Sequence, residues 1–483
     1  MQKFKSLNQQ SFFKSRDIFF YKKPAQKLKT KNRKTFSREI GAWKLCNRII
    51  FARQIISFSM LDIKLIRDNP EFVKERLAHK NFVPIDLVDQ IVTIDADRRN
   101  LQQQLDAVLN QSNQASKSIG SLMKEGNKAE AELQKVAVAG LKEQEKSLKE
   151  QLNRLEKQQM DIAIQLPNLP TKAVPSGKTP EENEVVREGG QKPALPANAQ
   201  PHWELIKKYD LIDFETGAKI TGSGFPMYKG KGAKLQRALV SYFLDYNTNA
   251  GYLEYSPPYM VNAESAFATG QLPDKEGQMY HMEADELYMI PTAEVPVTNV
   301  YRDTILKEAD LPVKMTAYSH CFRREAGSFG ANVRGLNRVH QFEKVEVIQI
   351  VHPDKSEAVL DEMIEHVESL LQSLGLPYRI LRLCGGDMGF ASAITYDFEV
   401  WCAAQEKWLE VSSVSNFETF QSNRMKCRFK TAEGGKTQLV HTLNGSSLAL
   451  PRIVAALLEN GQREDGILLP EVLVGYFGKG TIE

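Results

Sequence analysis

The sequence predicts an α+β protein in which a long antiparallel α-helical hairpin arm precedes an antiparallel-sheet domain. Two observations carry that expectation. After residue 85 apolar positions step by three and four along two runs separated by a turn, and beyond residue 201 short alternating runs interleave with helical ones. A Pro-rich stretch divides the two patterns.

The first helical run places Ile91, Ile94, Arg98, Leu101, Leu105, Val108, Ser112, Ala115, Ile119 and Leu122 on one seam. Lys124-Glu125-Gly126-Asn127-Lys128 supplies turn chemistry. Val138, Leu141, Leu148, Leu152, Leu155, Ile162 and Leu166 then resume the spacing. At 1.5 Å per residue, helices of about 34 residues give an arm roughly 50 Å long. Only one stripe of each helix is apolar, so the two satisfy each other and leave their other faces in water. A dimerisation coiled coil, a spacer and an RNA-binding arm all fit these residues. Near-balanced charge and abundant Gln argue against a strong nonspecific grip on phosphates, so RNA would be met through shape.

Residues 166–201 hold seven of the 21 prolines and read as a linker. Beyond them YLEYSPPYM, VHQFEKVEVIQI, YDFEVW and KWLEVSSVS alternate as strands, while AKLQRALVSYFLDYN and SEAVLDEMIEHVESLLQSLG read as helices. Hairpin-like strand neighbours with helices elsewhere argue for an antiparallel sheet.

Composition narrows the function classes. With 42% hydrophobic and 25% charged residues and no apolar run of about 18, the sequence gives no sign of a membrane role. Five scattered cysteines, Cys46, Cys321, Cys384, Cys402 and Cys427, lack CxxC spacing and suggest neither a disulfide framework nor a zinc site. A reducing, cytoplasmic setting fits best. Residues 1–59 carry fifteen Lys/Arg against Asp17 and Glu39, a net +13 that leaves −10 for the rest of a +3 chain. Such a leader fits a transit peptide for organellar import, a basic arm for RNA, or sequence upstream of a true start at Met60. The last is preferred, because patterning begins abruptly at MLDIKLIRDNPEFVKERL.

Neither a Walker A motif nor a Rossmann fingerprint is present. Three other segments are chemically loaded. In the first, Cys321–Gly327 and Arg338–Glu346, period-two alternation would put Arg323 beside Glu325 and Phe342 beside Lys344 and Glu346. That offers an anion clamp, a hydrogen-bond acceptor, an aromatic plate and a second carboxylate; singly, each charge could be a solvated strand face. In the second, Trp408–Ser413, Glu410 is either a sheet-surface acid or a hard oxygen ligand for Mg²⁺. The third, Leu439–Arg452, sets Arg452 at the start of an apolar helix, where a cation opposes the helix dipole and needs an anion or solvent.

Together these residues resemble the bacterial-type seryl-tRNA synthetases, class II aminoacyl-tRNA synthetases with an N-terminal helical tRNA-binding arm, over Met60 to the C-terminus. Motif 1 corresponds to the helix ending near Asp245 and GYLEYSPPYM with Pro258, motif 2 to FRRE through HQFEKVE, and motif 3 to GSSLALPR. GQLP (Gly270–Pro273), TAEVPVTN (Thr292–Asn299), EVSS (Glu410–Ser413) and LNGS (Leu443–Ser446) match markers of the serine family. Residues 1–59 form a basic leader outside the resemblance, which implies a tRNA-binding hairpin domain at 60–170, a linker at 171–200 and a class II catalytic domain at 201–483.

It also implies an ATP site formed by Arg323, Arg324, Glu325, Val339, Phe342, Glu410, Val411, Ser412, Ser413 and Arg452. Arg323 would meet the α-phosphate, Glu325 the adenine amino group, Phe342 the adenine ring and Arg452 the γ-phosphate, while Glu410 and Ser413 would hold Mg²⁺. Thr292, Ala293, Glu294, Arg323, Glu346 and Ser446 would meet L-serine. The implied partners are tRNA(Ser), with tRNA(Sec) left open, and a second copy in a homodimer. Adenylate formation asks a protein chiefly to position two anions and offset their charge, so Arg323 and Arg452 stand as the catalytic pair without a side-chain nucleophile. Two features depart from the family pattern: GSFGANVRGLNR carries less charge before its RGL, and the leader has no counterpart. An inactive synthetase-like paralog with an RNA-binding or regulatory role is the alternative, and retention of Arg323, Glu325, Glu410 and Arg452 argues against it.

Overall fold

The computed structural model describes residues 61–325, 333–432 and 434–483. The basic leader with Cys46, Met60, and the first part of the GSFGANVRGLNR loop lie outside the described residues. The chain opens with α1 (Ile63–Asp68) and α2 (Pro70–His79), then the hairpin α3 (Leu87–Lys124) and α4 (Lys128–Ala163). At 38 and 36 residues, these two helices are about 55 Å long. The turn forms where its chemistry predicts: Gly126 takes a positive φ of 80°, and the Asn127 side chain caps α4 by accepting from the Glu130 N–H at 3.3 Å. Every expected seam residue is buried or half-buried. The seam did not reveal Asp95, which is 1% exposed and paired with Arg67, Arg98 and Arg99 at 3.1–3.3 Å. Burial pushes its carboxyl up, but the arginines outweigh burial and hold it below the usual range. This acid ties α1 to the base of the hairpin.

The second half of the chain builds an eight-stranded sheet from β1 (Glu184–Gly189), β2 (Leu253–Tyr255), β3 (Val313–Phe322), β4 (Gln341–Val351), β5 (Tyr378–Arg382), β6 (Ile394–Cys402), β7 (Lys407–Glu418) and β8 (His441–Ala449). Their order is β1-β5-β6-β7-β8-β4-β3-β2. All neighbours run antiparallel except β2 and β3, which are parallel. GYLEYSPPYM is therefore not one strand. Pro257 and Pro258 separate β2 from a second short strand at Met260–Asn262, because proline has no N–H to give a ladder. The Pro-rich stretch expected as a linker also contributes β1, an edge strand whose Arg187 pairs with Glu368 at 2.7 Å. An edge strand needs only one ladder and carries charge to deter further pairing, so it shows no apolar alternation.

Helices α5 (Gly230–Asn249), α7 (Ser356–Ser373) and α8 (Leu450–Asn460) cover one face of this sheet, and α6 (Glu294–Thr298) is a short turn on the chain's way to β3. Val359, Met363, Val367, Leu370 and Leu371 repeat at helical spacing and pack with Leu235, Phe243, Ile453, Val345 and Val347 in one core. The period of two along β4 sorts the rest. Val345, Val347 and Val351 enter that core, while Ile348 and Ile350 enter a second one with Ala293, Met315 and Phe429. Lys344 and Glu346 share the latter parity, and that face carries the site.

Candidate active site

Two contiguous cavities of about 580 Å³ and about 180 Å³ meet at Arg323, Glu325, Arg338, Lys344, Ser413 and Ser446. Thr292 and Glu294 line the larger one. Beneath them Glu346, fully buried, accepts from the Thr292 hydroxyl at 2.9 Å and from the Ser446 hydroxyl at 3.4 Å, and pairs with the Lys344 ammonium. All three partners converge on Oε1; the buried Oε2 has none. An acceptor removed from water and left without a donor costs about 1–3 kcal/mol. Glu294, 6% exposed, accepts from Gln421 at 2.6 Å, and burial together with the neighbouring Glu346 pushes its carboxyl up to about 7. The Glu294 carboxyl at the cavity, with the Glu346 carboxylate behind Thr292 and Ser446, suits a small cation bearing N–H donors.

The smaller cavity is lined by Val339, Phe342, Glu410, Val411, Ser412, Ser413 and Arg452, among others. Pro451 sits in the first turn of α8, where its missing N–H costs nothing, and Arg452 follows it. Its guanidinium donates to the Asn337 carbonyl at 3.0 Å and the Glu410 carbonyl at 2.7 Å, with the Glu410 carboxylate 3.5 Å away. The cation at the unfavourable helix end thus already has acceptors. The loop that presents Asn337 is pinned in turn by His202, which accepts from the Leu336 N–H at 2.9 Å.

Arg323 stands where the cavities join. Its Nε donates to the Pro291 carbonyl at 3.3 Å and its guanidinium lies 5.3 Å from the Phe342 ring centre. Arg323 and Glu325 do reach the same space, but not as alternate residues of a strand, because β3 stops at Phe322. Glu325 instead adopts a left-handed φ of 48°, uncommon for a residue with a Cβ, and its carboxylate accepts from Arg338 at 2.9 Å.

Three expected site residues line neither cavity, Glu346 being buried beneath the larger one and the other two turned elsewhere. The Arg324 guanidinium donates to the Met279 carbonyl at 3.0 Å and lies over Tyr280, and the Ala293 side chain is in the second core. Ser412 turns its hydroxyl to the Ser446 carbonyl at 2.6 Å. Sequence reasoning missed Asp397 on β6, opposite Ser413 on β7 and lining the larger cavity. Burial, then the Glu410 carboxylate, hold the Asp397 carboxyl well above its ordinary range, and its Oδ1 has no partner. Alternation in YDFEVW put it on a face with Glu399, but nothing in the sequence aligned β6 with β7.

Glu410 and Ser413 offer the hard oxygens that Mg²⁺ prefers. Among the described residues no group of three or more His, Cys, Asp or Glu could hold a metal ion.

The sheet, its helix layer and the paired cavities define a class II aminoacyl-tRNA synthetase: residues 279–461 match the model described as the tRNA synthetase class II core domain (G, H, P, S and T). Residues 60–170 match the Seryl-tRNA synthetase N-terminal domain. The chain is 51% identical to the serine–tRNA ligase of Salinibacter ruber and 47% identical to that of Akkermansia muciniphila, in each case over 88% of this chain and 99% of the relative. The crystal structure of seryl-tRNA synthetase from Pyrococcus horikoshii complexed with ATP superposes with a TM-score of 0.82 at 32% identity, covering 88% of this chain and 99% of that one. The chain belongs to the seryl-tRNA synthetase family.

Proposed function

We propose that the chain is a serine–tRNA ligase that activates L-serine with ATP and transfers it to the 3′-terminal adenosine of tRNA(Ser). One observation carries this reading: the two cavities are joined at Arg323, one lined by Thr292, Glu294 and Ser446 with the buried Glu346 carboxylate behind them, the other by an aromatic plate and Arg452. The serine ammonium meets Glu294, Glu346 and Thr292, its hydroxyl is read by Glu346 and Ser446, and its carboxylate turns to Arg323. Adenine lies on Phe342 with its amino group toward Glu325; Arg323 and Arg452 take the α- and γ-phosphates. Bound at Glu410 and Ser413, Mg²⁺ would offset charge on the phosphates. A serine carboxylate oxygen attacks the α-phosphorus and the bond to pyrophosphate breaks; the ribose 3′-OH then attacks the acyl carbon and AMP leaves. Alanine would leave the hydroxyl-reading groups unpaired, which supports discrimination in binding alone.

ATP–pyrophosphate exchange across the amino acids tests the assignment. Serine should support it, and exchange with another amino acid but not serine would refute it. The pH dependence is a second check. Because the Glu294 carboxyl sits near 7, it gains its charge as pH rises through that value, so kcat/KM for serine should fall as pH drops below about 7. Glu294→Gln should flatten that limb. The same group is raised above its ordinary 4.5, so its contribution to stability is full below 4.5 and is lost as pH rises through about 7. Saturating serine should therefore raise Tm more at pH 8 than at pH 6.

The hairpin, in the division 60–170, is assigned to tRNA, by shape at its long variable arm. A homodimer is proposed through the motif 1 region, where the edge strand β2 leaves Leu253 62% exposed and nearby Met260 is 48% exposed. A cytoplasmic setting suits the four buried free cysteines Cys321, Cys384, Cys402 and Cys427, and among the described residues no helix is long and apolar enough to cross a membrane.

A further inference from the structure

One wall of the larger cavity is Gly389–Ser392 together with Phe417. Its backbone is held from the other end of the sequence. The Phe390 carbonyl accepts from the Asn168 N–H at 2.9 Å and from the Lys80 ammonium at 3.3 Å. The Asn168 amide donates to the carbonyls of Ala391 and Phe417, both at 2.9 Å. Lys80 donates again to Ser392 at 2.9 Å and to the Asn168 carbonyl at 3.3 Å, and the Thr171 N–H donates to Ala393 at 2.8 Å. Four consecutive carbonyls, 390 to 393, thus take donors from the residues that flank the hairpin.

The apolar contacts agree. Leu77, Ile91 and Leu166 form one buried cluster with Phe420, against which Phe390 and Ala391 pack. Across the cavity rim, Lys275 donates to the Gln165 carbonyl at 3.2 Å and lies 4.7 Å from the Phe390 ring centre.

Lys80 is 8% exposed and Asn168 4% exposed. Docking a helical domain calls for no buried ammonium, and burying one is costly unless its N–H groups find acceptors. Three carbonyls converging on one Nζ match its three donors and fix where those carbonyls lie.

We propose that Lys80 and Asn168 are positioning residues for serine: they hold the 389–392 wall, so the base of the arm is part of the amino-acid cavity. This rests on reading the larger cavity as the serine side. Lys80→Met and Asn168→Ala should each raise KM for serine in pyrophosphate exchange by about tenfold while KM for ATP moves less than about twofold, since misplacing a wall affects the ligand that touches it. Partial unfolding removes active sites and lowers the maximal rate but leaves both KM values in place, so the split separates positioning from mere destabilisation. Asn168→Ala leaves the Lys80 side chain intact and serves if the lysine variant fails to fold. Unchanged serine KM in the folded variants, or equal rises for serine and ATP, would overturn the inference alone. Absence of serine-dependent exchange in the unaltered chain would overturn the functional assignment and this inference with it.

Discussion

Arg323→Ala should lower serine-dependent pyrophosphate exchange by about a thousandfold, the scale of losing a preorganised donor from a developing charge. Both substrates converge on this side chain in the proposed reaction, because it lines both cavities and no other arginine except Arg338 does. Arg338 is engaged with Glu325 at 2.9 Å and is a poor substitute. The fold should survive. The hydrogen bond given up goes to the Pro291 carbonyl, an interaction of about 1 kcal/mol, and the Arg323 charge acts on the buried Glu294 carboxyl less than burial and Glu346 do. Arg323→Lys should recover little, since an ammonium cannot span a carboxylate and a phosphate as a planar fork does. Near-normal exchange in the alanine variant, with an unchanged circular dichroism spectrum, would remove Arg323 from the phosphate site.

Excising residues 109–145 and closing the shortened helices with a turn should leave exchange intact and reduce kcat/KM for tRNA charging by about a thousandfold, equivalent to losing roughly 4 kcal/mol of binding. The cut keeps Leu105 and Leu152, both buried, and everything below them, including Asp95 with its arginines and the Lys80 and Asn168 contacts. Removal of the outer hairpin and substitution at the base thus have opposite signatures: one loses tRNA and keeps serine, the other weakens serine itself. Charging that survived the excision would end the assignment of the arm to tRNA.

Legibility in the sequence followed the range of the interactions. The hairpin could be read because its determinants are local: a seam at helical spacing, and a Gly126-Asn127 turn whose φ and cap formed as their chemistry requires. Alternation showed that Phe342, Lys344 and Glu346 share a face, and the register of β4 with β8 brought Glu346 opposite Ser446. Arg323 and Glu325 were expected on one side for a strand-like reason, whereas a left-handed turn at Glu325 brings them there. β1 stayed hidden among prolines because an edge strand needs no apolar face. Asp397 and Lys80 were out of reach for another reason. Each matters through a neighbour that only the folded chain supplies, in the case of Lys80 and Phe390 a partner 310 residues away.

Helices α3 and α4 pack chiefly on each other, with α3 meeting α1 and α2 at the base. The hairpin is therefore a ruler whose length is set independently of the chemistry at its foot. Seven residues added to each helix would advance the tip by about 10 Å and return the seam to phase, leaving the serine cavity undisturbed. Arm length and amino-acid selection can drift separately in such a molecule, with the fixed point at the lysine and asparagine where the ruler is set into the wall.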